Sequence, residues 1–137
     1  MRFVDTNVLL YAISRDPDER RKADRALEIL ADRDLALSGQ VLQEFYVQAT
    51  RESRPDPLSP DQAKKLVESF TRFTVVDTTP QIVLAAIASH DRHRISYWDA
   101  AIVEAARSIG CDTVLSEDLS DGQDYAGVVV RNPFAGA

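Results

Sequence analysis

The sequence predicts an α/β protein with a central, mostly parallel sheet of four to five short strands. Two observations point there. Apolar runs of three or four residues alternate with longer amphipathic stretches, which is the pattern of βαβ units. Helix-start signals in which a capping residue precedes proline recur between them, at Asp16-Pro17, Ser59-Pro60 and Thr79-Pro80. At 137 residues the chain has the length of one domain with one sizeable core, so 1–137 is expected to be a single domain.

Taken in order, Phe3-Val4 reads as a short buried strand that delivers Asp5 to the point where the chain turns into a helix, Val8 to Ile13. In an open parallel sheet, ligands bind outside the carboxyl ends of the strands, so an acid at that point faces the crevice. The competing reading of Asp5 is a helix N-cap. Asp16-Pro17-Asp18-Glu19 opens a helix to about Asp32, with Glu19 placed to close a capping box and with Ala23, Ala26, Leu27 and Leu30 on one face. Leu35 to Ser38 is the second strand, and Ser38-Gly39 opens a helix to about Glu52 with Val41, Leu42, Phe45 and Ala49 as its stripe. Two prolines in Arg54-Pro55-Asp56-Pro57-Leu58 exclude helix and mark a linker within the domain. Ser59-Pro60-Asp61-Gln62 starts the next helix, whose stripe is Ala63, Leu66, Val67, Phe70 and Phe73, and Thr74 to Asp77 is the third strand. Helices follow from Ile82 to about Ser89 and from Ser96 to Ile109, the second stopped by Gly110. Thr113 to Leu115 forms a fourth strand ending in Ser116-Glu117-Asp118, Asp121-Gly122 turns the chain, and Val128 to Val130 is the last strand. Ala135-Gly136-Ala137 is expected to be loosely held.

Composition narrows the function. The balance of 22 acidic and 16 basic residues, a formal charge of −6, argues against non-specific grip on nucleic acid but not against a nucleic-acid enzyme whose acids hold cations. No apolar run approaches a membrane span and the N-terminus lacks a leader pattern, so a cytoplasmic protein is expected, with no membrane partner. The single cysteine, Cys111, excludes an internal disulfide framework and reads as a small apolar residue beside a strand. Basic residues group at Arg15 to Arg25, at Arg51 and Arg54, and at Arg92 to Arg94, where solvated helix faces and ends are the plain explanation.

Acids fall at element ends that a sheet could bring together. Asp5 ends the first strand, Glu44 borders a buried helical stripe, Asp99 lies in the first turn of a helix, and Asp118 follows the fourth strand. Each also has a local role open to it: a solvated flank for Glu44, a capping box with Ser96 for Asp99, a loop cap for Asp118. Two carboxylates ~4 Å apart repel by about 4 kcal/mol at an effective dielectric near 20, so convergence requires cations or bound protons. Oxygen-only ligation without nearby histidine or cysteine selects Mg²⁺ or Mn²⁺.

Phe3-Val4-Asp5-Thr6-Asn7, Glu44, Tyr97-Trp98-Asp99-Ala100-Ala101 and Val114-Leu115-Ser116-Glu117-Asp118, in that order, resemble the PIN-domain pattern, and more closely the VapC-like toxins of type II toxin–antitoxin systems. The similarity runs from Arg2 to about Pro133. It implies a three-layer α/β/α fold around the parallel sheet, a Mg²⁺- or Mn²⁺-dependent endoribonuclease acting on RNA, a cognate antitoxin covering the groove, and homodimerisation. Residue by residue, it implies Asp5, Glu44, Asp99 and Asp118 as the metal-binding catalytic acids, with Asn7 and Ser116 supporting. Glu117 competes with Asp118, and the family pattern favours Asp118.

His90 and His93 stand at helical spacing but lack further zinc ligands, so a solvated helix end is the expectation. Trp98 and Tyr97 could stack on a base, although core or interface is the commoner use of such residues, and Phe45 and Tyr46 divide the same way between core and partner contact. Two rival functions remain: a Mg²⁺-dependent phosphatase with Asp5 as covalent nucleophile, and a non-catalytic interaction module whose acids only cap helices.

Overall fold

The structure, a computed structural model, describes residues 1–136 and has six helices and six strands. The strands are β1 Arg2–Val4, β2 Leu35–Ser38, β3 Thr74–Val76, β4 Thr113–Leu115, β5 Asp124–Tyr125 and β6 Val128–Arg131. The helices are α1 Thr6–Ala12, α2 Arg20–Leu30, α3 Gly39–Ala49, α4 Pro60–Phe70, α5 Pro80–His93 and α6 Tyr97–Ser108. All strands form one sheet in the order β3-β2-β1-β4-β6-β5, parallel except for the β5–β6 pair. The chain moves outward from β1 in one direction through β2 and β3, then returns to the other side with β4. The crevice of a doubly wound sheet therefore falls between β1 and β4. There Phe3 pairs with Val114 and Val4 with Leu115, which sets Asp5 beside Ser116.

Helices α1 to α4 pack on one another and α5 pairs with α6, giving a layer on each side of the sheet. Phe3, Val4, Leu35, Leu37, Val114 and Val130 are fully or almost fully buried between these layers, as expected of parallel strands covered on both faces. Phe45 is wholly buried and meets Phe70 edge to face at 5.1 Å, so it is core, while Tyr46 beside it is exposed. Cys111 is buried and free, and burial pushes its thiol pKa up. Among the described residues, no helix is long and apolar enough to cross a membrane.

The structure corrects several expectations. The sheet has six strands rather than four or five, because Ala126 and Gly127, both at positive φ, join β5 to β6 in a two-residue hairpin. Helix α5 continues past Ser89 to His93, where Arg94 closes it in the left-handed region, and α3 stops at Ala49, short of Glu52. Leu27 lies on the solvent side of α2, 55% exposed, and Ile29 takes the buried place. Glu19 does not close a capping box. It accepts instead from the Ser14 hydroxyl, and Pro17–Glu19 forms a 3-10 turn ahead of α2. Ser59 and Gln62, at the expected helix start, form a capping box in both directions. Phe134, the residue before the stretch expected to be loosely held, is buried against the Tyr11 ring, Ala135 and Gly136 are exposed, and Ala137 lies outside the described residues.

Candidate active site

The carboxyl ends of β1 and β4 open into a cleft of about 280 Å³. Asp5, Glu44, Asp99 and Asp118 all line it, together with Asn7 and Glu117. The four acids singled out in the sequence therefore converge on one recess. Ser116 lies beneath it, wholly buried.

Asp5 serves the backbone and faces the cleft at once. Its Oδ1 accepts from the Thr6 amide at 2.7 Å, capping α1, and its Oδ2 accepts from the Ser116 hydroxyl at 2.8 Å across the β1–β4 seam. Burial pushes its carboxyl up to about 6; the bonds from Ser116 and Thr6 oppose that rise, and the charges of Glu44 and Asp118 add to it. The cap and the acidic site are thus one residue, not alternatives.

Thr6 and Gln40 hold Glu44. The Thr6 hydroxyl donates to Glu44 Oε2 at 2.7 Å, and Gln40 Nε2 donates to Glu44 Oε1 at 3.0 Å and to the Trp98 carbonyl at 3.2 Å. One carboxamide ties α3 to the first turn of α6. Ser96 caps α6 by accepting from the Asp99 amide at 3.1 Å. The Asp99 carboxyl is raised by its partial burial, with Asp118 and Glu44 adding to the rise.

Asn7 and Ser116 organise the far wall. Asn7 Nδ2 donates to Ser116 Oγ at 3.2 Å and to Asp118 Oδ2 at 3.3 Å, and its Oδ1 accepts from the Glu117 amide at 3.2 Å. Ser116 Oγ accepts from the Asp118 amide at 3.1 Å, so its hydroxyl links Asp5 to the loop that carries Asp118. Consecutive side chains diverge here. Asp118 turns toward Asn7, while Glu117 turns to Lys22, whose Nζ lies 2.6 Å from Oε2, and to the Tyr11 hydroxyl. Burial raises the Glu117 carboxyl, but the bonds from Lys22 and Tyr11 outweigh it and leave it below its ordinary range.

Among the described residues none of Asp5, Glu44, Asp99 and Asp118 takes part in an ion pair. No three Asp, Glu, His or Cys side chains there stand at the spacing of a ready-made ion cage. The donor chemistry nonetheless fits a hard divalent cation: the groups hydrogen-bonded to Asp5, Glu44 and Asp118 are hydroxyls, carboxamides and backbone amides, and although Arg54 stands on the cleft rim, none of the four acids is paired with a protein cation. His90 and His93 are elsewhere. The first lies against the Ile95 carbonyl and the second against the Tyr125 ring at 5.2 Å, on a helix end as expected.

Thr6, Gln40 and the Tyr11–Lys22 pair escaped the sequence reading. Gln40 stands four residues before Glu44, a helical neighbour whose amide was a readable signal. Thr6 looked like an ordinary first-turn residue, and nothing local to Lys22 announces a partner 95 residues away.

A parallel sheet with an acidic cleft at its switch point defines a class of α/β proteins whose site lies at the carboxyl edge of the strands. The PIN-domain description matches residues 2–120, and the chain belongs to the PIN-domain family, whose nucleases are generally metal-dependent. It is similar along almost its whole length to ribonuclease VapC24 of Mycobacterium tuberculosis, 28% identical over 144 residues that cover 98% of this chain and 97% of the relative. The fold matches a toxin–antitoxin complex from Klebsiella pneumoniae with a TM-score of 0.71 at 18% identity, covering 98% of each chain. It also matches FitAcB from Neisseria gonorrhoeae at 0.66 and 19% identity, covering 98% and 99%.

Proposed function

We propose that this protein is a metal-dependent endoribonuclease of the VapC type, the toxin of a type II toxin–antitoxin system. The observation that carries it is the convergence of Asp5, Glu44, Asp99 and Asp118 on one cleft with none of the four engaged in an ion pair among the described residues. Its full-length similarity to a curated ribonuclease supports the same reading.

Asp5 and Asp99 would be the principal ligands of one or two Mg²⁺ or Mn²⁺ ions, with Glu44 and Asp118 completing the set. A cation held by these residues would supply charge neutralisation at an RNA phosphate and a more acidic bound water, the two tasks phosphodiester hydrolysis demands. The chain's own groups prepare that event. Thr6 and Gln40 fix the orientation of Glu44, and Ser116 and Asn7 set Asp5 and Asp118 across the β1–β4 seam. Arg54 on the cleft rim and Arg51 just beyond supply positive charge for the RNA backbone. Glu117 is excluded from the ligand set by its partnership with Lys22 and Tyr11.

The phosphatase alternative is weakened by the position of Asp5, 5% exposed with both oxygens occupied, which suits a held ligand better than a nucleophile approaching phosphorus. The proposal includes a cytoplasmic location, a cognate antitoxin and a homodimer. The solved relatives that are toxin–antitoxin complexes support the antitoxin; sedimentation of the purified chain reads the dimer.

The test is incubation of total cellular RNA with antitoxin-free protein in Mn²⁺, in Mg²⁺ and in EDTA, with Asp5→Asn protein purified identically. Discrete fragments that require metal and vanish with the variant are expected. Intact RNA under every condition, with no metal-induced rise in melting temperature, would replace the enzyme with a non-catalytic interaction module.

A further inference from the structure

Trp98 is the one tryptophan of the chain and is 63% exposed, although it opens a helix whose next turns are almost wholly buried. Its place is specific. It precedes Asp99, lines the acidic cleft, and also lines the adjoining recess with Glu44, Asp99 and Asp118. Leaving an indole in water forgoes its large apolar contribution to folding, so the exposure calls for an occupant.

The surroundings decide what kind. An apolar protein interface wants contiguous aliphatic neighbours at its centre. The recess beside Trp98 instead presents the carboxamides of Gln40, Gln43 and Gln48 and the guanidinium of Arg51, with Val47 as its aliphatic member. A π-face ringed by groups that both donate and accept, with a cation at its edge, matches a nucleobase attached to a phosphate. The platform is also held in place. Tyr97 meets the indole edge to face at 5.1 Å, and Gln40 fixes the Trp98 carbonyl while it holds Glu44. One side chain thus couples the platform to the acid cluster.

We propose that an unpaired nucleobase next to the scissile phosphate stacks on Trp98, making this residue the one that restricts cleavage to single-stranded or looped RNA. The inference rests on the ribonuclease reading, since it names the part of the substrate that the same cleft receives. Duplex RNA keeps its bases stacked inside the helix and cannot offer one.

Because Trp98 is the only indole, its emission reports stacking without reference to activity. Asp5→Asn protein in Mn²⁺ is titrated with a single-stranded oligoadenylate and with an abasic oligomer of equal length. Quenching by the first and not the second is expected. In cleavage of a looped RNA, Trp98→Ala lowers kcat/KM by about 5- to 150-fold, the range for losing one base–aromatic stack, and Trp98→Phe recovers most of it. Leu27→Ala, at an exposed apolar residue on α2 with no part in the site, leaves it unchanged. The backbone contact from Gln40 survives every Trp98 substitution. Emission indifferent to RNA, or a Trp98→Ala protein that cleaves at the wild-type rate, overturns the stacking platform while leaving the nuclease intact. Quenching without any cleavage by the wild-type protein sinks the nuclease and keeps the base site. A Trp98→Ala variant altered only in self-association would overturn the proposal in favour of a protein contact.

Discussion

Replacing Asp5 with asparagine separates the two consequences of burying an acid in this cleft. The folded carboxyl is lifted from 3.8 to about 6, so at neutral pH the folded state disfavours the charged form by about 3 kcal/mol. The sign follows from linkage: Asp5 binds its proton more tightly folded than unfolded. Its destabilising effect is therefore absent below about pH 4, grows as pH rises, and is complete above about pH 6. Asparagine removes the charge at nearly constant volume and keeps an acceptor for the Thr6 amide. It places an amide group opposite Ser116, whose hydroxyl loses its acceptor at a cost of about 1 to 1.5 kcal/mol. The net expectation in EDTA at pH 7.5 is a variant about 1.5 to 2 kcal/mol more stable than wild type, or about 5 to 7 °C in Tm for a chain of this size. At pH 4.5 the charge relief has largely gone and the lost hydrogen bond remains, so the two stability curves converge or cross between those pH values. Mn²⁺ reverses the order at pH 7.5: at a hundred times its Kd it stabilises wild type by about 2.7 kcal/mol, and it leaves the variant little changed. Urea and thermal unfolding at both pH values, with and without Mn²⁺, measure all of this. A variant less stable than wild type at pH 7.5 by the same margin as at pH 4.5 would refute the claim that Asp5 sits in uncompensated negative charge.

Four further outcomes are expected. Asp118→Asn lowers metal-dependent cleavage by about 10- to 100-fold, while Glu117→Gln changes it less than about threefold, because Glu117 is already committed to Lys22 and Tyr11; equal losses from both substitutions would return Glu117 to the ligand set. Thr6→Val removes the donor that orients Glu44 and costs cleavage about tenfold, with Thr6→Ser retaining it, as kinetics at saturating Mn²⁺ would show. Phe45→Ala opens a cavity against Phe70 and destabilises by about 3 to 5 kcal/mol, read by urea unfolding. Glu104→Gln, at a buried acid paired with Arg107 at 2.9 Å on the far part of α6, lowers Tm but leaves kcat unchanged for the folded fraction.

The elements were legible because their signals are local. Caps at Ser59 and Thr79, prolines at the first helical position, and apolar stripes each act over a few residues, and the corresponding helices begin where those signals stand. Where the structure departs from expectation, the local cue was missing or misleading. Ala126-Gly127 is an unusual pair for a two-residue hairpin, so β5 went unseen, and no glycine follows α5, which ends instead on Arg94 at positive φ. Periodicity placed Leu27 on the inner face of α2, yet only the packing of α2 on its neighbours selects Ile29.

The candidate site divides in the same way. Asp5 could be picked out from sequence because a strand followed by an acid points to the carboxyl edge of a sheet, Asp99 and Asp118 because they too stand at element ends, and Glu44 because it borders the buried stripe of its helix. What the acids do to one another could not. The bond from Ser116 to Asp5 joins residues 111 apart, and the one from Thr6 to Glu44 joins residues 38 apart. Both exist because β1 lies between β2 and β4 in a parallel register, which is settled by the burial of both sheet faces. The sequence by itself determined which residues could carry charge, cap a helix or enter a core. The tertiary structure decided that four carboxylates share one cleft, that Glu117 on its wall is engaged by Lys22 and Tyr11, and that Trp98 stays in solvent, because each of these outcomes is a sum of contacts between segments that the chain brings together only when it folds.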